Sequence, residues 1–320
     1  MDAIIERCAG LDVHEKTVVA CMMMGSVKKR PQKEIRTFST VTKGLLELAE
    51  WLEKSGCTHA AMESTGVYWK PVWNVLEGHN IELILANAQH VKNVPGRKTD
   101  VKDAEWIAQL LRSGLVEKSF VPPEPMRELR DATRYRKNLV HEINREKNRM
   151  HKVLQDCNIK MTSFMSDIFG DTGRKILERL IDGEVIEIED LEKMVEGRGK
   201  APLRKKIEDL YEAIKGNVKK HHITMMRYHY EHIKFLEKQQ EELEEQIAEY
   251  IDPYDEEVKI FDSVPGINER AASVIVAEMG VDTEQFTSDK HLASWAGLCP
   301  GNNESAGKKK EVNPRREIWL

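Results

Sequence analysis

The sequence has few cysteines and few aromatic residues, and it has no apolar run of membrane length. Its five cysteines include no Cys-x-x-Cys pair and no Cys/His cluster with zinc spacing, so neither a disulfide framework nor a structural zinc site is expected. No apolar stretch approaches the twenty or so residues of a membrane helix. The N-terminus lacks the basic and then apolar segments of a signal peptide. These absences favour a protein of a reducing cytoplasm with no membrane partner.

Charge is abundant but unevenly distributed along the 320 residues. The net charge is -5, although 32% of the residues are charged. Residues 127–160 carry ten Lys or Arg against five Asp or Glu, whereas residues 241–257 carry nine acidic residues. This segregation permits a local phosphate-binding surface on a protein whose total charge is acidic.

Residues 1–120 predict an α/β domain. Apolar runs at 9–13 and 17–24 flank a short polar turn and predict a hairpin, and alternation at 34–40 predicts a third strand. Helical spacing and apolar strands then alternate: helices at 43–54, 67–77 and 99–113, strands at 59–63 and 81–86. This order resembles a ribonuclease-H-like layout, in which helices cover the faces of a central mixed sheet.

The rest of the chain predicts helices. The proline-rich stretch 121–125 marks a domain boundary. We predict one long helix over 126–157 and another over 203–250, the second with heptad spacing through Ile233, Leu236 and Ile247. The two helices would form an antiparallel coiled coil or a dimer arm, so that residues 121–257 make a helical linker and arm. Residues 258–320 predict a small helical C-terminal domain.

Four acidic residues stand at positions that suit a metal site. Asp12 and Glu63 each end a predicted strand, where open α/β sheets place their functional crevice. Asp100 and Asp103 lie three residues apart at a helix start and therefore share a face. Four converging carboxylates repel one another without a cation, and Mg²⁺ or Mn²⁺ prefers oxygen ligands. Such a site supports phosphoryl transfer.

Each acid also has an ordinary structural interpretation. Asp100 and Asp103 are favourable in the first turn of a helix, and Asp12 fits a turn after a strand. Glu63 is harder to explain by packing, because it ends an apolar strand and precedes a Ser-Thr-Gly turn. Spacing alone therefore leaves both interpretations open.

Motifs at both ends of the chain resemble those of the RuvC-like DEDD transposases of the insertion sequence 110 family. The N-terminal motifs are GLDVH at 10–14, MESTGVYW at 62–69 and KTDVKDA at 98–104. The C-terminal motifs are VPGI at 264–267, WAGLCP at 295–300 and ESAGK at 304–308. The match covers both ends of the chain in the family's order.

The resemblance implies functional roles for five residues. Asp12, Glu63, Asp100 and Asp103 would bind the metal, and Ser305 would be a catalytic serine that forms a covalent link to DNA. It also implies a fold like that of Holliday-junction resolvases, and a structured guide RNA from the same element that pairs with target and donor DNA. From the residues alone, Ser305 fits an ordinary loop residue among glycines and asparagines.

Basic residues near these motifs are candidate nucleic-acid contacts. Three lie in the basic stretch 93–102 around Asp100, two lie on the first long helix, and one follows Ser305: Arg97, Lys98, Lys102, Arg145, Arg149 and Lys308. A solvated helix face explains Arg145 and Arg149 equally well. Residues 263–279 resemble a helix-hairpin-helix, whose turn would offer backbone N–H groups to phosphate, or they form a structural αα-turn.

The acidic residues predict a metal-dependent enzyme, and the family resemblance implies an RNA-guided DNA recombinase of the prokaryotic cytoplasm, associated with the nucleoid. Strand exchange needs several active sites, so we expect a homodimer or homotetramer through residues 203–250. Two rivals remain open: a structure-selective nuclease that uses water instead of Ser305, and an inactive nucleic-acid-binding remnant. The second follows from the tail after Ser305, which departs from the family pattern and suggests a truncated domain.

Overall fold

The structure is a computed structural model that describes residues 3–64, 66–88, 91, 103–196 and 201–298, together with the backbone at 304–305 and 308–309. The chain divides into two compact units, Met1–Val121 and Pro122–Leu320. Among the described residues, none of the helices combines the length and apolarity needed to cross a membrane.

The first unit contains a six-stranded mixed sheet with the order β3-β2-β1-β4-β5-β6. Strands β1, β2 and β3 pair antiparallel, β4 and β5 continue parallel to β1, and β6 is antiparallel at the edge. The strands are β1 (Arg7–Val13), β2 (Thr17–Met24), β3 (Gln32–Ser39), β4 (His59–Glu63), β5 (Glu82–Ala86) and β6 (Lys118–Ser119). The predicted mixed sheet is confirmed, and β6 is a strand that the sequence did not predict.

Helices cover both faces of this sheet. On one face, α1 (Thr42–Lys54) and α2 (Trp69–Leu76) bury a cluster that includes Leu11 of β1 and Met62 of β4. On the other face, α3 (Asp103–Arg112) packs on Cys8 of β1 and Ala61 of β4. Successive side chains of a strand point to opposite faces, which explains why neighbouring residues of β1 and β4 belong to different clusters.

Helix α3 lies directly against strand β1 at Gly10. A Cβ atom at Gly10 would stand 2.2 Å from the carbonyl oxygen of Ala104 and 2.3 Å from the backbone nitrogen of Ala108. Both alanines are fully buried. Only glycine at this position allows so close an approach of the two backbones.

The described residues of the second unit form helices and a two-stranded hairpin of β7 (Glu304–Ser305) and β8 (Lys308–Lys309). Short 3-10 turns at Met161–Ser163 and Asp252–Tyr254 interrupt the helices. The helices are α4 (Glu124–Asp156), α5 (Asp171–Asp182), α6 (Ile188–Met194), α7 (Ala201–Arg204), α8 (Ile207–Ile214), α9 (Lys220–Ile251), α10 (Asp255–Asp262), α11 (Glu269–Met279) and α12 (Asp289–Trp295).

The two long helices α4 and α9 run antiparallel and pack against each other. Asp156 at the end of α4 meets His222 at the start of α9, and Arg136 near the middle of α4 meets Glu244. Between these pairs, Leu236 of α9 is buried against α4. The predicted apolar seam of α9 is therefore occupied within the chain, and its coiled-coil geometry stays a prediction.

The prediction of one helix over residues 203–250 is wrong, because the chain leaves helical structure between Ile214 and Lys220. A Cβ atom at Gly216 would stand 2.3 Å from the carbonyl oxygen of Cys157, and the amide of Asn217 donates to that same oxygen at 2.8 Å. This contact with the end of α4 turns the chain. It joins residues distant in sequence, so helical periodicity did not reveal it.

The contact at Gly10 generates a stability prediction. We expect Gly10→Ala to lower the free energy of unfolding by about 1–3 kcal/mol, because the added methyl group forces α3 away from β1. Urea denaturation of the full chain measures this change.

Gly78→Ala is the matched control, because a Cβ atom there meets nothing within 4 Å. If the two variants unfold at the same urea concentration, α3 does not depend on the close approach at Gly10.

Candidate functional site

The pairing of β1 with β4 brings Asp12 beside Glu63. The two strands are parallel, with Gly10 opposite Ala61 and Leu11 opposite Met62, so Asp12 and Glu63 are the next pair along the ladder. Neighbouring strands lie about 4.8 Å apart. Asp12 shares the face of Cys8, and Glu63 shares the face of Ala61, and both of these residues pack under α3. The two acids therefore point to the same side of the sheet.

Helix α3 adds a third acid at this place. Asp103 is its first residue, and it precedes Ala104, whose carbonyl approaches Gly10. Gly10 lies two residues before Asp12 on the same face of β1. The glycine contact therefore carries Asp103 to the end of the strand where Asp12 and Glu63 lie.

The pKa of Asp12 is affected by both of the neighbouring acids. Burial raises the pKa of the Asp12 carboxyl, and the negative charges of Asp103 and Glu63 raise it further, although His14 opposes them. The side chain of Asp12 is 25% exposed, so it remains open to solvent. Asp103 and Glu63, both distant in sequence, thus act on Asp12 near the end of β1.

His14 is a neighbour of Asp12 that the sequence analysis did not single out. Its Nε2 atom lies 3.1 Å from Oδ2 of Asp12, and its ring is 60% exposed. Residues two apart at a strand end share a face. In the sequence, this spacing alone indicated that His14 lies beside Asp12. His14 therefore offers Asp12 a hydrogen-bonding partner at the end of β1.

The three carboxylates fit a hard divalent cation by their chemistry, since they offer oxygen ligands. At least one pair of their carboxylate oxygens is more than 4.8 Å apart. Among the described residues, the three acids are not a group whose ligand atoms all lie within that distance of one another. A cation bound by all three acids would require their side chains to draw closer together.

Several predicted site residues lie outside the described residues: Arg97, Lys98, Asp100 and Lys102. Ser305 and Lys308 are described only in their backbone, where they pair with each other across the β7-β8 hairpin. The acids and Ser305 belong to different units of the chain. The predicted roles of all six residues therefore stay predictions.

Much of the basic face of α4 is engaged in holding the helices of the second unit together. Arg134 donates to both carboxylate oxygens of the buried Glu278 on α11, at 2.7 and 2.8 Å, and Arg136 pairs with Glu244. Arg145 and Arg149 instead pair within α4 and keep 66% and 57% of their side chains exposed. Of these four arginines, Arg145 and Arg149 are the ones left exposed for a partner, so the basic stripe is narrower than its sequence indicates.

A second group of metal-ligand types has a structural explanation. Ligand atoms of Asp156, His221 and His222 all lie within 4.8 Å of one another. Nδ1 of His222 accepts a hydrogen bond from the backbone N–H of Lys219, so its proton sits on Nε2 and points to Asp156 at 2.9 Å. A metal bound at Nε2 would move the proton of the neutral ring to Nδ1. Nδ1 could then no longer accept the hydrogen bond from Lys219 that caps the helix. These bonds tie α4 to α9.

The predicted phosphate-binding turn lies between α10 and α11. Gly266 has a φ of +94°, and the amide of Ile267 donates back to the carbonyl of Val264. The turn thus satisfies part of its own backbone, as a structural αα-turn does. Its contact with phosphate stays a prediction.

Comparison with known proteins gives two family matches. A model described as a DEDD transposase of the IS110 type matches residues 9–159, and one described as the transposase IS116/IS110/IS902 family matches residues 258–317. Together they cover about two thirds of the chain. A search of curated proteins finds no match.

Among solved structures, T. thermophilus RuvC in complex with a Holliday junction substrate is similar at 13% identity. The match covers 36% of this chain and 100% of that chain, with a TM-score of 0.25, and a likeness this distant supports no conclusion. The two family matches confirm the resemblance seen in the motifs. The chain belongs to the IS110 family of transposases, and its N-terminal domain is RuvC-like.

Proposed function

We propose that this transposase cleaves and rejoins DNA at a metal site formed by Asp12, Glu63, Asp103 and Asp100. The observation that supports the proposal is the place of Asp12, which is partly buried and close enough to Asp103 and Glu63 for their charges to add to the effect of burial in raising its pKa. Three carboxylates gathered at one place offer several oxygen ligands to a single cation. Mg²⁺ or Mn²⁺ suits the oxygen ligands.

The acids of the first unit hold and orient the reacting groups. Asp12 and Glu63 offer oxygens from adjacent strands, and Asp103 offers them from the helix above, so a phosphodiester is approached from one side. When bound, a divalent cation supplies positive charge against the phosphate oxygens and the departing oxygen. His14 would help to hold the carboxylate of Asp12, which its Nε2 atom approaches at 3.1 Å.

Ser305 is proposed as the nucleophile, on the basis of the family motif at 304–308. Its Oγ forms a bond to phosphorus and loses its proton, one phosphorus–oxygen bond of the DNA breaks, and the departing DNA hydroxyl gains a proton. A DNA hydroxyl then attacks the serine ester, which rejoins the strand and restores Ser305. A serine hydroxyl needs activation for this step, and Lys308 would screen the phosphate charge.

The remaining partners are proposed on the family resemblance. A structured guide RNA would select target and donor DNA by base pairing, with Arg97, Lys98, Lys102, Arg145 and Arg149 as backbone contacts. A homodimer or homotetramer would supply several sites for strand exchange. Since α4 covers the apolar seam of α9, assembly through residues 203–250 would use the outer face of α9, where Tyr228 and Phe235 are exposed.

The metal site predicts a stability change that is separate from activity. Millimolar Mg²⁺ should raise the melting temperature of the wild-type chain, because binding to the folded state alone stabilises it by about 2.7 kcal/mol at a hundredfold excess over the Kd. In Asp12→Asn this response should disappear. Without Mg²⁺ the variant should be at least as stable as the wild type, because burial and the neighbouring acids together outweigh His14 and disfavour the charged form of Asp12. Differential scanning fluorimetry measures both.

Glu15→Gln is the matched control, because Glu15 is an exposed acid three residues from Asp12. It should keep the full Mg²⁺ response. An Asp12→Asn variant that still responds to Mg²⁺ as the control does would remove the basis for a metal site at these acids.

The serine step is tested with Ser305→Ala in a DNA cleavage assay that includes RNA co-purified with the protein. We expect loss of both the covalent protein–DNA adduct and strand transfer, since no other group replaces the Oγ atom. Ser294→Ala, an exposed serine of α12, should retain them.

Continued cleavage by Ser305→Ala, without any adduct in the wild type, would identify a nuclease that uses water. No cleavage by the wild type with Mg²⁺ and RNA would identify an inactive nucleic-acid-binding remnant.

A further inference from the structure

A positively charged pocket of about 370 Å³ lies in the first unit, between the β2–β3 loop and the end of α3. None of its lining residues is acidic. Four of them are cations and two more are hydrogen-bonding side chains: Lys29, Arg30, Lys33, Arg112, Gln109 and Ser113. The family matches do not explain this concentration of positive charge, which is far from the acidic site.

Arg112 fixes one wall of the pocket. Its side chain is almost fully buried, at 4% exposure. Its guanidinium donates to four backbone carbonyls: Ile5 at 2.9 Å and Glu6, Gly25 and Ser26 at 3.0 Å. These bonds hold the β2–β3 loop against the chain before β1. They satisfy the donors of Arg112 but leave its charge without a carboxylate in the described part of the chain, which is costly for a buried ion.

The other cations are held beside this buried charge. Lys29 and Arg30 are exposed in the loop, and neither forms an ion pair with any described residue. Lys33 pairs with Glu105. Three of the four lining cations therefore lack a carboxylate partner within the described residues, although like charges at close range repel one another. An anion in the pocket would relieve both this repulsion and the buried charge of Arg112.

We propose that this pocket binds a phosphate group. Lys29 and Arg30 would contact its oxygens by charge-assisted hydrogen bonds, Gln109 and Ser113 would add neutral donors, and Arg112 would contribute its field from beneath. The phosphate comes either from a nucleic-acid backbone or from a free phosphate compound. The exposed position of Lys29 and Arg30 favours a nucleic-acid strand, whose phosphates such side chains commonly contact.

The pocket is distinct from the acidic site. It adjoins the Arg7 end of β1, where the β2–β3 loop begins opposite that residue, whereas Asp12 lies near the other end. The rise of a strand places Arg7 and Asp12 about 17 Å apart. A nucleic-acid strand bound at both the pocket and the acidic site would have two points of attachment. These two points would fix its direction across the domain. The inference does not depend on the proposed metal site or on Ser305.

The test compares two full-length double variants with the same loss of charge. Lys29→Gln with Arg30→Gln removes the two exposed cations of the pocket. Lys28→Gln with Lys43→Gln is the control, because Lys28 lies in the same loop without lining the pocket and Lys43 lies on α1. All four side chains are exposed, so both variants should fold. Circular dichroism checks this.

Binding of a labelled single-stranded oligonucleotide is measured from 50 to 300 mM salt, in parallel with inorganic phosphate and pyrophosphate. If two phosphate contacts are lost, the slope of log K against log salt should become less steep by about 1.4 in the pocket variant. The control should keep the wild-type slope. The contrary result is that the two variants have equal slopes, or lose equal affinity for the oligonucleotide, and also bind inorganic phosphate and pyrophosphate alike. That result would show that no phosphate site exists here.

The two phosphate sources are separated by the same data. A loss for both the oligonucleotide and pyrophosphate, confined to the pocket variant, supports the nucleic-acid backbone as ligand. A loss for phosphate and pyrophosphate alone supports the pocket as a site for free phosphate compounds, and overturns its role in holding a strand.

Discussion

The close packing of helix α3 on strand β1 is the contact on which the proposed site depends. At Gly10 the two backbones approach too closely for any side chain, and this sets the height of α3 above the sheet. Asp103 begins that helix, so its place beside Asp12 follows from the same contact. The parallel pairing of β1 with β4 supplies Glu63. One strand therefore organises three acids that come from separate parts of the chain.

Much of the first unit was predictable because its signals are local. Strand alternation, apolar runs and helix stops lie within a few residues of one another, and they gave the mixed sheet and the strand ends at Asp12 and Glu63. That these acids face the same side follows from the parity of each strand once the register is known. The register itself, which sets Gly10 opposite Ala61, arises from pairing between distant segments.

The features that the sequence did not reveal are contacts between distant residues. The break between α8 and α9 comes from Gly216 meeting the carbonyl of Cys157, and the basic stripe of α4 is partly consumed by Glu278 of α11. The phosphate pocket depends on Arg112 binding carbonyls about a hundred residues earlier. A periodic pattern shows which face of an element is polar, but it does not show what that face meets.

The central claim is that Asp12, Glu63 and Asp103 share a divalent cation, and a crystal structure with Mn²⁺ tests it most directly. The account predicts an anomalous scattering peak at the end of β1, with oxygens of all three carboxylates drawn to within about 2.2 Å of it. A well-ordered structure at saturating Mn²⁺ with no peak between these acids, or with the ion bound only at Asp156 and His222, would contradict the account.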